Sequence, residues 1–439
     1  MFIKKYTSLD YSKKGKYVFT YVNYIHEFIM IFINDTLSTY GGSITLLLRM
    51  FKWLTKQHIQ SAMITDSQEN CEAVTQLREM GITIFQADIR NGHEIIPILK
   101  QYDEDLKVIN FYWDKYLDIE CAKKNGQLAF DNIMYNIHPA AFDKGSSRGD
   151  SFLTRSVKEM YYSILRKMNQ NGSLVYMDPI NIRHTERYYS REFEKRPTIV
   201  RLPMDCNGLN VTIDELENRF NSNIILTASR ADFPYKGYLL GLIDIFVRLA
   251  KKKKDVQLEI IAGGGNSDIL EKKLSEIDDD IRKRIIYKKW MTYDELKQEI
   301  RRAKVFVGMG TSIIDSARVR IPSIPVLFDT YDCISNGLFH EFGEITAYED
   351  CTLGIENSLN TVLDASFEEY LSISKLTFEK MSSEYDIDKI MQGFISMSTK
   401  NKSCILNNKE YILHKVNNIK NKILYTGKGY SYNNVKGEN

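Results

Sequence analysis

Short apolar runs bounded by polar turns alternate along this chain with segments of helical period, and no other feature restricts the fold as much. Runs of Val, Ile, Leu and Phe without polar alternation suit strands covered on both faces, as in parallel sheets flanked by helices. In the first half they fall at 28–33, 61–65, 82–86, 107–112, 132–137, 173–177 and 198–202, with helix-period segments such as 43–56, 71–80 and 151–168 between them. The stretch RLPMDCNGLN, 201–210, interrupts the rhythm with Pro, Asp, Asn and Gly. The pattern then restarts, with strands expected at 223–229, 256–262, 284–287, 305–307 and 323–328 and helices at 237–252, 267–277, 292–303 and 315–319. The chain therefore reads as two βα-repeating halves facing a cleft: an N-terminal domain over 1–204, a linker over 205–222 and a second domain over 223–365. C-terminal helices over 366–400 and a basic tail over 401–439 follow.

At 439 residues the chain exceeds one ordinary core, which agrees with two domains. A net charge of +2 is too balanced for nucleic acid to be the main partner. The apolar run FIMIFI, 28–33, falls far short of the roughly 20 residues that span a bilayer, and no signal-peptide pattern precedes it. A cytoplasmic protein is expected. The tail 401–439 holds seven Lys against two Glu, which suits a solvated segment or a peripheral contact with the anionic inner face of a membrane. The six cysteines are scattered, never at metal-ligand spacing, so reduced thiols and no metal site are expected. The RGD tripeptide at 148–150 and the sequons at 171 and 210 read as polar loops.

Ligands of open α/β sheets bind at the carboxyl ends of strands, and four such ends stand out. NDTLSTYGGS, 34–43, offers Gly41 and Gly42 for close backbone approach and then a helix start with free N–H groups. TASRADFPYKGY, 227–238, sets Arg230 and Lys236 around a turn before a helix, two cations suited to a diphosphate. IIAGGGN, 260–266, is a glycine turn. VFVGMGTSIID, 305–315, exposes backbone at Gly308 and Gly310, adds the hydroxyls of Thr311 and Ser312, and places Asp315 where it can reach a neutral polyol such as a ribose. Taken singly, each stretch also suits an ordinary turn.

Their order resembles the nucleotide-binding domain of the group 1 retaining glycosyltransferases of GT-B fold, with two Rossmann-like domains. Arg230 and Lys236-Gly237 are followed by FVRLA, by the strand ending in GGG, by TYDELKQEI and by AKVFVGMGTSIIDSARVRIPSIPV. Against the family fingerprint Glu-Gly-Phe-Gly, four residues, Glu-Ala and a Gly-x-Pro turn, this chain has Gly308-Met309-Gly310, Asp315 at the second acid and Ile321-Pro322 at the turn. The first acid falls on Val307, which cannot hydrogen-bond a donor sugar. FINDTLSTYGGS with TLLLRMFKWL resembles the family's first strand and glycine loop.

The resemblance implies a metal-independent hexosyltransferase-type enzyme with no cofactor beyond its donor, a nucleotide-diphosphate sugar, UDP-sugar foremost. Arg230 and Lys236 would hold the diphosphate; Gly308, Gly310, Thr311 and Ser312 would line it; Asp315 would hold the ribose; Gly41 and Gly42 would approach from the other domain. His138, in YNIHP, would be the N-domain histidine near the reacting sugar. The implied acceptor is a glycan, a lipid-linked glycan or a protein, in bacterial surface polysaccharide or glycoconjugate synthesis. A GT-B sugar-nucleotide epimerase, or a non-catalytic partner subunit of a glycosyltransferase complex, are the alternatives. Base, sugar, acceptor identity and oligomeric state are not readable from the sequence.

Overall fold

The computed structural model describes residues 28–37, 42–68, 71–102, 106–143, 152–206, 210–289 and 291–425. Seven strands belong to the first half: β1 (Ile29–Leu37), β2 (Ser61–Gln68), β3 (Thr83–Gln86), β4 (Leu106–Asn110), β5 (Asp131–Asn136), β6 (Leu174–Tyr176) and β7 (Thr198–Ile199). Five belong to the second: β8 (Ile224–Arg230), β9 (Gln257–Gly263), β10 (Ile285–Lys288), β11 (Val305–Gly308) and β12 (Ser323–Pro325). They form two parallel sheets, ordered β3-β2-β1-β4-β5-β6-β7 and β10-β9-β8-β11-β12. This is the α/β architecture with two Rossmann-like halves that the alternation predicts. Every described residue of β4 and β5 is buried, as a strand covered on both faces requires.

Register and topology together locate a site. Ile31 sits between Ala62 and Val108, and Phe306 sits between Leu226 and Ser323. The strand order reverses between β1 and β4 in one sheet and between β8 and β11 in the other. Connections leaving such a pair diverge to opposite faces and open a crevice at the strands' carboxyl ends. Gly42 follows β1, Arg230 ends β8, and Gly308 ends β11.

Local sequence sets the helices that leave these strands. The helix Gly42–Lys56 buries Ile44, Leu47, Met50, Phe51 and Leu54 at helical spacing. Thr292 and Glu295 of TYDEL form a reciprocal capping box that starts the helix Tyr293–Arg302. One apolar core crosses between the halves, from Phe32, Leu47 and Phe51 to Ile313, Ile314 and Ala317.

Two stretches outside the sheets carry helices of their own. The linker expected over 205–222 contains a helix, Ile213–Ser222, capped by Thr212 and docked on the second domain. Its Arg219 is buried and donates to the carbonyls of Arg301 and Val319, while Phe220 meets Phe367 at 5.3 Å between ring centroids. The Pro, Asn and Gly of 203–208 drew attention from the helical period that starts just beyond them.

The basic tail expected over 401–439, read as solvated and partly ordered, has an ordered first part. It carries the helix Asn408–Tyr425, whose Glu410 accepts from Lys167 at 2.7 Å and whose buried His414 lies 3.1 Å from Asp118. Residues 426–439 lie outside the described residues. The preceding helices, Phe367–Glu384 and Ile387–Ser396, cross back to the first half: Met204 donates to the Tyr385 carbonyl and accepts from Ile387. Lys107 on β4 donates to the carbonyls of Phe394 and Ile395. Among the described residues no helix is long and apolar enough to cross a membrane, and all six cysteines are free thiols.

Candidate functional site

Arg230, the last residue of β8, opens a turn that is held from beneath. Ala231 donates to the Gly263 carbonyl at 2.8 Å, Asn266 donates to the Ala231 carbonyl at 3.2 Å, and the Asn266 side chain accepts from Phe233. The glycines of IIAGGGN thus buttress the Arg230 turn, and Gly264 has a φ of +132, which favours glycine. On the other side a Cβ at Gly237 would lie 2.5 Å from the Thr330 carbonyl oxygen, so only glycine admits that loop.

The turn presents two cations of different character. Arg230 is exposed and pairs with Asp232 at 2.8 Å. Lys236 is half-buried, with its ammonium 5.1 Å from the centroid of the Tyr235 ring. No carboxylate lies within ion-pairing distance of Lys236 among the described residues. Burial, then the neighbouring charge of Arg230, pulls the Lys236 ammonium down to about 7. A desolvated cation beside another cation is electrostatically short of an anion.

The β11 turn differs. Val307 is fully buried, pairs with Ile324 and packs in the core of the second domain with Val305 and Met309. The place where the fingerprint sets its first acid is therefore a strand interior, not a cleft position. Gly308 is pressed against the Phe306 ring, 2.7 Å from where a Cβ would stand. Gly310 has a φ of +72. Its N–H, expected to line an anion, donates instead to the Ile345 carbonyl at 2.9 Å, and the Ser312 hydroxyl donates to the Met309 carbonyl at 3.0 Å.

The helix that follows starts at Thr311, four residues before the expected start, and runs to Arg318. Asp315 accordingly sits in its second turn, where its carboxylate accepts from Arg49 at 2.6 Å, both side chains largely buried. The first half supplies the opposite wall. A Cβ on Gly42 would stand 3.5 Å from the Thr311 hydroxyl oxygen. Gly41 lies outside the described residues.

His138, two residues beyond β5, stacks on Tyr235 with centroids 5.1 Å apart and planes 27° apart. Burial, helped by the charges of Lys236 and His184, pulls its imidazole down to about 4, so the ring is neutral at pH 7. Its Nδ1 accepts from the Ala140 N–H, which leaves the ring proton on Nε2. The structure thus brings Gly42 to Thr311 and His138 to Tyr235 beside Lys236, and it sets Arg230 and the helix carrying Thr311 and Asp315 at the carboxyl ends of the neighbouring strands β8 and β11.

Several residues of this cleft were not singled out in the sequence. Arg49 is one; its signal was a cation inside TLLLRMFKWL set among Leu46, Leu47, Met50 and Trp53, all buried, whereas the other cation, Lys52, is exposed. His184, on the helix Pro179–Tyr189, is another: it bonds Asp143 at 2.8 Å within its own half and Glu349 across the cleft, where Arg187 also pairs. Burial opposes its charge, but the bonds to Asp143 and Glu349 outweigh it and lift the imidazole to about 9. Nothing in the local sequence of His184 reveals a partner 165 positions away. Among the described residues no cluster of three or more His, Cys, Asp or Glu side chains is arranged to hold a metal ion.

Two parallel Rossmann-like sheets, a cleft at their carboxyl ends and C-terminal helices that cross back to the first half define the GT-B fold. Solved structures with this arrangement include glycosyltransferases. One from Rickettsia africae superposes with a TM-score of 0.60 at 12% identity, covering 84% of this chain and 99% of that one. HepE of Anabaena, in complex with UDP and glucose, gives 0.59 at 12% identity, covering 83% and 98%. TarM of S. aureus, in complex with UDP and α-GlcNAc-glycerol among its ligands, gives 0.56 at 10%, covering 84% and 99%. No protein-family model and no curated protein sequence matches the chain. At these identities the likeness is one of fold.

Proposed function

We propose that the chain is a retaining glycosyltransferase that moves a hexose from a nucleotide-diphosphate sugar, a UDP-sugar foremost, to an acceptor hydroxyl. The observation that carries the reading is Lys236, a desolvated ammonium beside Arg230 with no carboxylate cover among the described residues, at the carboxyl end of β8. Such a pair suits a diphosphate, and the charge that develops on the departing nucleotide is what it stabilises without need of a metal. Thr311 and Ser312 add N–H groups at the start of a helix, where an anion is favoured. Gly308 and Gly310 shape that turn. Asp315 is assigned to the ribose hydroxyls, Gly41 and Gly42 to the approach from the other half, and His138 to donating through Nε2 to a hydroxyl of the transferred sugar. That HepE and TarM were solved with UDP supports the donor class.

The chemistry assigned is a front-face displacement. The bond from the anomeric carbon to the diphosphate oxygen breaks, its electron pair stays on that oxygen between Arg230 and Lys236, and the acceptor oxygen bonds the same face. The acceptor proton passes to the departing diphosphate oxygen. The acceptor is read as a glycan, a lipid-linked glycan or a protein of bacterial surface polysaccharide or glycoconjugate synthesis, handled in the cytoplasm at the inner face of the membrane.

Thermal stability measured with UDP, GDP and a panel of their sugars tests the reading. UDP should raise the midpoint of the wild type and not that of Lys236→Ala. Equal response of both proteins would remove the diphosphate assignment, and sugar-nucleotide turnover without any acceptor would favour an epimerase.

A further inference from the structure

The residues assigned to the donor in the second half are covered by the first. Gly42 lies over Thr311, Arg49 bonds Asp315, and His138 lies on Tyr235 beside Lys236. Of these three contacts only Arg49–Asp315 is an ion pair. Arg49 stands seven residues beyond Gly42 and Asp315 four beyond Thr311, so the two contacts run alongside each other down two helices that both start in the cleft. The inward face around Arg49 is otherwise apolar, with Leu46, Leu47, Met50 and Trp53 buried. A guanidinium on such a face is held by its counter-charge, and removing one member of a largely buried pair strands the other.

We propose that Arg49 is a latch. Alongside the His184–Glu349 and Arg187–Glu349 contacts, it pins the two helix starts of the cleft together by occupying the Asp315 carboxylate, and a nucleotide enters by exchanging its ribose hydroxyls for Arg49 at that carboxylate. The inference rests on the assignment of Asp315 to the ribose under the proposed function. It has a consequence that assignment lacks: the measured affinity for a nucleotide is the intrinsic affinity scaled by the fraction of molecules with Arg49 released. The chain then binds its donor more weakly than its site permits, and whatever draws Arg49 away raises donor occupancy.

Arg49→Gln removes the charge and keeps a side chain that can hydrogen-bond, whereas Arg49→Lys keeps the ion pair and serves as the conservative control. With calorimetric titration of UDP, Arg49→Gln should bind about tenfold more tightly than wild type, the gain when one molecule in ten is open. Its radius of gyration in solution scattering without nucleotide should exceed that of wild type, and Arg49→Lys should match wild type in both measurements. UDP binding by Arg49→Gln equal to or weaker than wild type overturns the latch. If wild type binds no UDP, the nucleotide reading fails by itself, and scattering alone decides: a larger radius for Arg49→Gln supports the latch and an unchanged one overturns it. Asp315→Asn approaches the pair from the other half and should open the cleft equally, so a folding defect particular to position 49 does not carry the result.

Discussion

The two strand-to-helix turns of the second half meet the cleft in opposite ways. At the end of β8, Lys236 is left desolvated beside Arg230, with no carboxylate partner among the described residues. At the end of β11 the polar groups are spoken for: the Gly310 N–H by Ile345, the Ser312 hydroxyl by Met309, and the Asp315 carboxylate by Arg49. One turn is short of an anion, whereas in the other these three groups already have partners. The proposed grip on a diphosphate thus draws on the first turn, and the proposed latch on the second.

The largest effect expected from breaking this contrast is on turnover. Lys236→Ala should lower kcat by about 10²- to 10³-fold with the fold intact, the usual scale for removing one group that stabilises developing negative charge. Initial rates of acceptor-dependent UDP release measure it. Arg230→Ala, which removes an exposed cation already paired with Asp232, should lose less.

Val307→Glu is next. Were this a cleft position, the acid would restore the family fingerprint and be tolerated. Because Val307 is buried beside Ile324, the carboxylate should instead cost about 3–5 kcal/mol, as other unpaired buried charges do. A fall in melting midpoint on the order of 10 °C by calorimetry is expected, and an unchanged midpoint would place position 307 in the cleft.

A smaller effect separates the contacts across the cleft. His184 is raised to about 9 from an ordinary value near 6.5, so its contribution to stability is complete below about 6.5 and is lost as pH rises through 9. The wild-type midpoint should fall between pH 7 and 10 by a few degrees more than that of His184→Asn. Parallel curves would remove His184 from the interface. The smallest effect is at the glycines. Gly42→Ala places its Cβ at ordinary contact distance from Thr311 and should keep turnover within about twofold, whereas Gly237→Ala meets the Thr330 carbonyl at 2.5 Å and should do worse.

The sequence carried the fold well and showed the two cations of the β8 turn, for physical reasons. Buried parallel strands need uninterrupted apolar runs, and Ile29–Ile33 and Val305–Val307 show them plainly. The cations of the β8 turn sit six residues apart in one loop, so local spacing reveals them. Contacts between the halves are not legible in this way. Arg49 and Asp315 lie 266 positions apart, and no local period links a cation on one helix to a carboxylate on another. At Val307 the sequence shows the missing acid, but not that the side chain joins the core of the second half beside Val305 and Met309. The return of the C-terminal helices to the first half was hidden likewise: Lys107 and Phe394 meet across 287 positions of sequence.

The central claim is that the Arg230–Lys236 turn holds a diphosphate, and proton uptake tests it most directly. At pH 8 the unliganded Lys236, with its ammonium near 7, is mostly neutral, and a bound diphosphate would recharge it. Calorimetric titration of UDP at pH 8, in buffers of different ionisation enthalpy, should register an uptake of about one proton per UDP bound, and Lys236→Met should abolish it. Binding of UDP by the wild type with no proton taken up would contradict the account.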